Sequence, residues 1–211
     1  MSDVWSERAQ LYRESAAHKE GPDLDLLVEW ARGARTALDV ATGGGHVARR
    51  LREEGIEVVT TDAATGMQPD VITRAEHLPF ADGTFDAVVS RVAHHHFDDP
   101  VAAMQEMARV SGGLVLVVDN LFMSDEAEEA DRVRDPSHVR NYTEDEWRGL
   151  FEQAGLTVED VRRFDKPIEL QPWLDRVGCE SADAERVREL LADRIEDGWV
   201  QLDRIALKGR K

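Results

Sequence analysis

Cysteine is nearly absent from this chain. Cys179 stands alone, which excludes an internal disulfide and suits a reducing compartment. Long apolar runs are missing too. The longest, residues 114–118, is far too short to cross a bilayer, so no membrane insertion is expected. The opening Met1-Ser2-Asp3-Val4 lacks the basic-then-apolar pattern of a leader peptide, and a cytoplasmic location is expected. Positive charge is scarce: 26 basic residues face 43 acidic ones, for a net charge of −17. Such a surface repels phosphate, which makes nucleic acid and anionic membranes poor partners. Lysine is rarer still, limited to Lys19, Lys166, Lys208 and Lys211. Internal repeats and low-complexity tracts are also lacking. What remains is a chain of 211 residues, 42% hydrophobic, expected to fold as one domain over residues 1–211 with a sizeable core. The sequence leaves the oligomeric state open.

The chain is organised around Leu38-Asp39-Val40-Ala41-Thr42-Gly43-Gly44-Gly45-His46-Val47-Ala48. An apolar strand over residues 36–40 runs into small residues and then into a helical pattern. Consecutive glycines let the backbone approach a ligand closely, and the first amides of the helix face outward without partners.

Other elements follow in order. Residues 4–20 are expected to be helical, with Tyr12, Ser15 and His18 on one face. Asp23 is the expected N-cap of a second helix. A strand over 56–60 closes at Asp62, where an acid commonly holds a ribose diol. Residues 63–69 are weakly patterned, and 70–73 form a brief third strand. Residues 87–90 read as a strand buried on both faces. Pro100 opens a helix, Gly112-Gly113 stops it, and residues 114–118 form a fifth core strand. This alternation argues for an α/β fold with a mostly parallel sheet. Right-handed crossovers then gather Asp39 with the glycines, Asp62, Ala75, Glu76, Ser90 and Asp119 at one edge. Beyond it, 124–134 is a charged helix whose acids read as a solvated face. Thr143 with Glu146 forms a capping box. Residues 158–164 form a strand, 167–197 hold one or two helices, and 201–208 form a last strand.

Taken together, the motif at Leu38–His46, Asp62, Leu78-Pro79-Phe80, residues 85–91, His95-His96-Phe97 and Glu152-Gln153-Ala154-Gly155-Leu156 resembles class I S-adenosylmethionine-dependent methyltransferases. The nearest group is the small ubiquinone/menaquinone-biosynthesis type, also called methyltransferase type 11. The N-terminal Tyr12, Ser15, His18, Gly21 and Asp23 and residues 134–140 share that likeness. The resemblance implies a Rossmann-like sheet of seven strands, the last antiparallel, with helices on both faces. It implies a helical cover at 1–34, a cofactor core at 35–120, and acceptor-side inserts at 121–143 and 167–199. By matching position, Asp39, Ala41, Gly43 and Gly45 hold the methionine end of S-adenosylmethionine. Asp62 takes the ribose, Ala75 and Glu76 lie beside the adenine, Ser90 and Arg91 face the methyl group, and Tyr12 joins the cofactor set. The sequence departs from the pattern in three places. Ala41 replaces a glycine, Arg74 replaces an aspartate, and residues 63–69 are too short for the customary third helix, so an open wall beside the adenine is expected.

Methyl transfer needs a base only when the acceptor must lose a proton. His95, His96 and His138 are the candidates, because histidine titrates near neutrality; adjacent histidines seldom share one ion, so no metal is expected. The segment containing Arg134, Asp135, His138, Arg140 and Tyr142 is expected to line the acceptor pocket, its arginines holding an acidic acceptor or pairing with Asp135. Phe122, Trp173 and Trp199 suit an apolar lining for a small organic acceptor. Two other readings stand beside this one. Gly43-x-Gly45-x-x-Ala48 with Asp62 fits a nicotinamide-dependent dehydrogenase, although Asp39 would face pyrophosphate unfavourably and no Tyr-x-x-x-Lys pattern is present. Arg74 and the short 63–69 segment also fit a non-catalytic binding or regulatory domain.

Overall fold

The computed structural model describes residues 4–211, apart from the side chains of Ala16 and Ala17. Strand β1 (Thr36–Val40) is buried from Ala37 onward and lies inside the sheet. β2 (Glu57–Asp62) pairs with it on one side and β4 (Phe85–Arg91) on the other, both parallel. β3 (Val71–Ile72) and β5 (Ser111–Asn120) extend the parallel set outward. β8 (Trp199–Arg210) then runs antiparallel to both β5 and β6 (Thr157–Glu169). The order is β3-β2-β1-β4-β5-β8-β6, and a short eighth strand, β7 (Ile195–Glu196), pairs with β8.

The period of two sorts the strand residues between faces. Leu38, Val40, Val115 and Val117 join Met104, Met107, Trp147 and Phe151 on one side. Ala37, Leu114, Leu116 and Val118 join Leu24, Leu27, Val47 and Leu51 on the other. The first side is covered by α5 (Pro100–Val110) and α7 (Glu144–Gln153), the second by α3 (Pro22–Ala31) and α4 (His46–Glu53). A third cluster joins α6 (Asp125–Arg134), α8 (Leu170–Asp175) and α9 (Ser181–Leu190) around Trp173, Leu174 and Val187.

Several expectations need correction. The helix over 4–20 divides into α1 (Val4–Glu14) and α2 (Ala16–Lys19), because Ser15 takes extended dihedrals, φ −62° and ψ 112°. Gly112 and Gly113 follow α5, as expected, but lie inside β5, the helix ending earlier at Val110 with Ser111 as its cap. β6 continues through Pro167, which is tolerated because β6 is an edge strand. Asp23 is not a cap. Gly21 caps α3, with Pro22 in the first turn.

Asp23 is instead wholly buried and joins three elements. Its Oδ2 accepts from Arg91 Nε at 2.9 Å and Arg204 Nη1 at 2.8 Å, and its Oδ1 lies 3.7 Å from Lys166 Nζ. Burial alone would raise the pKa of Asp23, but Arg204, Arg91 and Lys166 hold it down to about 2. This depressed pKa adds stability that is present above the unfolded value near about 4 and is lost as pH falls from there through about 2. Removing the carboxylate strands two buried guanidinium groups. Asp23→Ala is therefore expected to lower stability by about 3–5 kcal/mol in urea unfolding at neutral pH, and the deficit should shrink in acid. A neutral-pH loss below about 1 kcal/mol would place this cluster outside the stability of the fold.

Candidate active site

The parallel register brings the ends of β1, β2 and β4 to one level, with Val40 opposite both Thr61 and Ser90. A cavity of about 500 Å³ opens along this edge. Its floor is the loop after β1, including Ala41, Thr42, Gly43 and Gly44. One wall carries Asp62, Ala63, Ala64 and Met67; the next carries Arg74, Ala75, Glu76 and Asp98. The far side is made by Arg91, Val92 and Ala93 with His96, Phe97 and residues 136–139, and α1 closes the top with Trp5 and Tyr12.

The floor is held from two directions. Thr61 O accepts from Thr42 N at 2.9 Å, and Asp62 Oδ2 accepts from Gly43 N at 2.9 Å. Asp62 Oδ1 accepts from Ala64 N at 2.9 Å, so one carboxylate ties both loops together. Ala41 sits at φ +55° and Gly43 at φ +52°, left-handed positions that glycine fills without penalty. A Cβ on Gly43 would meet nothing within 4 Å, so the floor is open there. Val92 is also left-handed, at φ +58°, an uncommon state for a β-branched residue and one that marks functional walls.

Asp39 lies behind this floor and not on it. It is 1% exposed and accepts from Thr42 Oγ1 at 2.6 Å and Ala48 N at 3.2 Å. Gly45 caps α4 behind the cavity. Ser90 is fully buried off the wall, its Oγ without a hydrogen-bond partner among the described residues. Tyr12, Ala41, Gly43, Asp62, Ala75 and Glu76 do meet at the cavity.

The histidines take different places. His95 is behind the wall, its Nδ1 2.5 Å from Asp119 Oδ1. Burial opposes protonation of His95, but Asp119 outweighs it and raises the pKa. His96 is on the wall and its Nδ1–H donates to Ser137 O at 3.0 Å. Burial and the nearby His95 push it down to about 3, so it is neutral with Nε2 as its lone-pair nitrogen. His138 is on the wall as well, its Nε2 3.0 Å from Glu128 Oε1. Glu128 is only 5% exposed and also accepts from Asn141 N, which corrects the expectation of a solvated acidic face on α6. Among the described residues no group of His, Cys, Asp and Glu is arranged to hold a metal.

The wall expected to be open is covered. The 3-10 turn Thr65–Met67 stands in place of a third helix, and α1 packs on it through Ala9, Ala64 and Met67. Gly66 N donates to Ser6 Oγ at 2.7 Å. Arg74 is paired with Glu76 at 3.1 Å and Asp98 at 2.7 Å. The apolar lining differs from expectation as well. Trp173 is buried in the third cluster, Trp199 is exposed on β8, and neither they nor Phe122 lie on the cavity wall. Of the segment expected to line the acceptor pocket, only residues 136–139 reach the wall: Arg134, Asp135 and Tyr142 lie off it, and Arg140 pairs with Glu146 and stands 5.4 Å over Tyr142. Trp5, Asp98 and Glu128 were absent from the sequence-based set. Trp5 and Tyr12 are two helical turns apart, a signal that was available, whereas nothing separates Glu128 from its acidic neighbours.

Comparison with known proteins fits this geometry. A family model described as Methyltransferase domain matches residues 38–117. The chain is 32% identical over 206 residues to the uncharacterized methyltransferase YcgJ of Bacillus subtilis, covering 86% of this chain and 81% of that protein. It is 38% identical over 101 residues to a demethylmenaquinone methyltransferase of Beutenbergia cavernae, covering 42% of each. The crystal structure of YcgJ superposes with a TM-score of 0.80 at 27% identity, covering 90% of this chain and 97% of that one. The chain belongs to this methyltransferase family, with its mostly parallel sheet and antiparallel C-terminal strand. No described helix is long and apolar enough to cross a membrane.

Burial pushes the Asp39 carboxyl up to about 7 against its bonds from Thr42 and Ala48. A raised pKa means that the folded state holds the proton more tightly. The contribution to stability is then complete below about pH 4 and lost as pH rises through about 7. Asp39→Asn removes this term. The stability of the wild type relative to Asp39→Asn should therefore fall between pH 4 and 7 in urea unfolding, and a difference that stays flat would contradict the assignment.

Proposed function

We propose that the protein is an S-adenosylmethionine-dependent methyltransferase that modifies a small organic acceptor. The observation that carries this reading is the open Gly43 floor held by Asp62, on one wall of a cavity at the carboxyl edge of the sheet. The donor set fits the cofactor. Asp62, Glu76 and Asp98 present carboxylates to a ligand that carries a sulfonium, an ammonium and a ribose diol. Gly43 and Gly44 on the open floor would hold the methionine end, Asp62 the ribose, and Ala75 and Glu76 the adenine side, with Tyr12 above. A nicotinamide dinucleotide fits less well, since the same acids would face its pyrophosphate. When bound, S-adenosylmethionine supplies an electrophilic methyl group, and the chain's main task is to hold an acceptor in line with it. His138, with Glu128 on its Nε2, keeps Nδ1 for a proton from the acceptor; His96 offers a neutral Nε2 beside it.

Calorimetric titration with S-adenosylmethionine and S-adenosylhomocysteine tests the assignment. Both should bind the wild type. Asp62→Ala should weaken binding by roughly 1.5–3 kcal/mol, the scale of a lost hydrogen bond to a charged group. Gly43→Val should weaken it by filling the open floor. Unchanged affinity in both variants would sink the reading.

With an acceptor that turns over, His138→Ala is expected to lower turnover about 10²–10⁴-fold while cofactor affinity stays the same. A variant that keeps full turnover between pH 6 and 8 would remove His138 from proton transfer.

A further inference from the structure

The chain is strongly acidic, yet cations gather on the inner side of Tyr12. Arg8, on α1, sends Nη2 to the carbonyl of Val177 and places Nη1 3.5 Å from Asp135 Oδ1. Val177 follows Arg176, and Asp135 follows Arg134. One guanidinium therefore joins the end of α6 to the end of α8, bringing Arg134 and Arg176 together. Trp173 strengthens this geometry. Arg134 Cζ stands 4.0 Å over its ring, and Arg176 lies one helical turn beyond it.

These cations are poorly neutralised. Neither the Arg134 nor the Arg176 guanidinium makes a hydrogen bond or ion pair with a described carboxylate. Arg134 Nε and Arg8 Nη1 are buried without hydrogen-bond partners. Asp135 pairs with Arg8 and keeps a buried Oδ2 without a hydrogen-bond partner among the described residues, so one carboxylate stands against three guanidinium groups. Asp135 Oδ1 accepts from Ser137 N and Oγ, and Asp131 Oδ2 accepts from Asn141 Nδ2. Burial, then the charge of Arg134, push Arg176 down to about 10. Asp23, the next acid inward, already serves Arg91 and Arg204. Three half-buried guanidinium groups gathered around one carboxylate repel one another, and an anionic ligand offsets that repulsion.

The three arginines do not line the cavity themselves but adjoin it through their neighbours. Tyr12 lines it, and the Tyr12 ring contacts Trp5 at 5.8 Å and His18 at 5.6 Å, both of which are cavity residues. Residues 136–139, directly after Arg134 and Asp135, form the adjoining wall. Asp62, Glu76 and Asp98 lie on the other walls with Arg74 paired to the last two, so three acids face one cation at that end.

We propose that Arg134 and Arg176, linked by Arg8, form an anion-recognition subsite at the Tyr12 end of the cavity, making the methyl acceptor a small organic anion. A carboxylate and a phosphate monoester share the required chemistry, since both take planar guanidinium donors. This deepens the proposed methyltransferase reading and rests on it for the word acceptor. The subsite itself is a binding claim and can be measured without turnover.

The probes are benzoate, phenyl phosphate, succinate and inorganic phosphate, with benzamide as the neutral control. Each is titrated calorimetrically at low ionic strength, with and without S-adenosylhomocysteine. At least one organic anion should saturate the wild type and bind more tightly than benzamide, and added salt should weaken it. Arg176→Gln and Arg134→Gln should each weaken that anion about tenfold or more, while Arg176→Lys retains part of the affinity. S-adenosylhomocysteine affinity should not change in any of these variants. Preference for benzoate or for phenyl phosphate then identifies the headgroup. If Arg134→Gln melts early, Arg176→Gln decides, because the Arg176 guanidinium has no partner in the fold to lose. The proposal is overturned if no anion saturates the wild type, if benzamide binds equally well, or if both glutamine variants bind as the wild type does. Failure of S-adenosylhomocysteine to bind the wild type would instead overturn the cofactor assignment, and the anion titrations would still decide the subsite.

Discussion

Two hydrogen bonds fix where everything else stands: Thr42 N to Thr61 O, and Gly43 N to Asp62 Oδ2. They pin the loop after β1 to the end of β2. The loop begins in left-handed backbone at Ala41 and would otherwise have no reason to lie flat across the sheet edge. Gly45 N closes the loop on itself by donating to Thr42 O at 2.9 Å. The second oxygen of Asp62 fixes the following turn through Ala64 N, and that turn carries Met67 and the surface on which α1 rests. A single carboxylate thus organises the floor, one wall and the seat of the cover. This is also why an acid at the end of β2 has meaning in a strand-turn-helix context and little meaning alone.

Electrostatics divides the molecule in an unusual way for a chain with net charge −17. The acids are mostly outside, paired with neighbouring arginines at solvent-exposed sites that contribute little each. Inside, buried acids are held by specific partners: Asp23 serves two buried arginines and a lysine. Arg134 and Arg176 are half-buried, and neither guanidinium makes an ion pair with a described carboxylate. The burial of Asp39 adds a carboxyl poised near neutrality beneath the floor. The site is therefore polarised over a short distance, with acids where a cationic cofactor is proposed and cations behind Tyr12. An overall negative field disfavours nucleic acid, but it says nothing about a small anion that meets this interior.

The parts of this design that follow local rules could be read from the sequence. The strand at 36–40, the glycine turn, Asp62, the Pro100 helix start and the Thr143 capping box depend on neighbours a few residues away. The antiparallel last strand came from resemblance, not from periodicity. What escaped the sequence depends on partners far along the chain. Asp23 looked like a cap because Asp favours that position, yet its partners are Arg91 and Arg204. Glu128 looked solvated amid acids, yet it holds His138 and the backbone of Asn141. Arg74 suggested an open wall, and α1 filled that side from the far end of the sequence. The strand over 158–164 was expected to give way to helix from Pro167, but β6 runs on through it, since a strand at the sheet edge has no outer neighbour to disappoint.

Helix α1 has a further consequence. Its anchors reach three separate places. Ser6 meets Gly66 on the proposed cofactor side, while Arg8 meets Asp135 after α6 and Val177 after α8. Its apolar contact is small, with Ala9 against Ala64 and Met67 as the buried members. A Cβ on Gly66 would come within 2.5 Å of the Ser6 backbone, so the approach is close but narrow. An element held by a few polar contacts and little apolar area opens at lower free energy than the sheet beneath it. Because the same helix bears Trp5, Tyr12 and Arg8, any ligand that neutralises the cations behind Tyr12 also strengthens the cover over the Gly43 floor. With an anion in the proposed subsite and a cofactor on the floor, the two would be coupled through α1, and by linkage each would favour the other to the same degree.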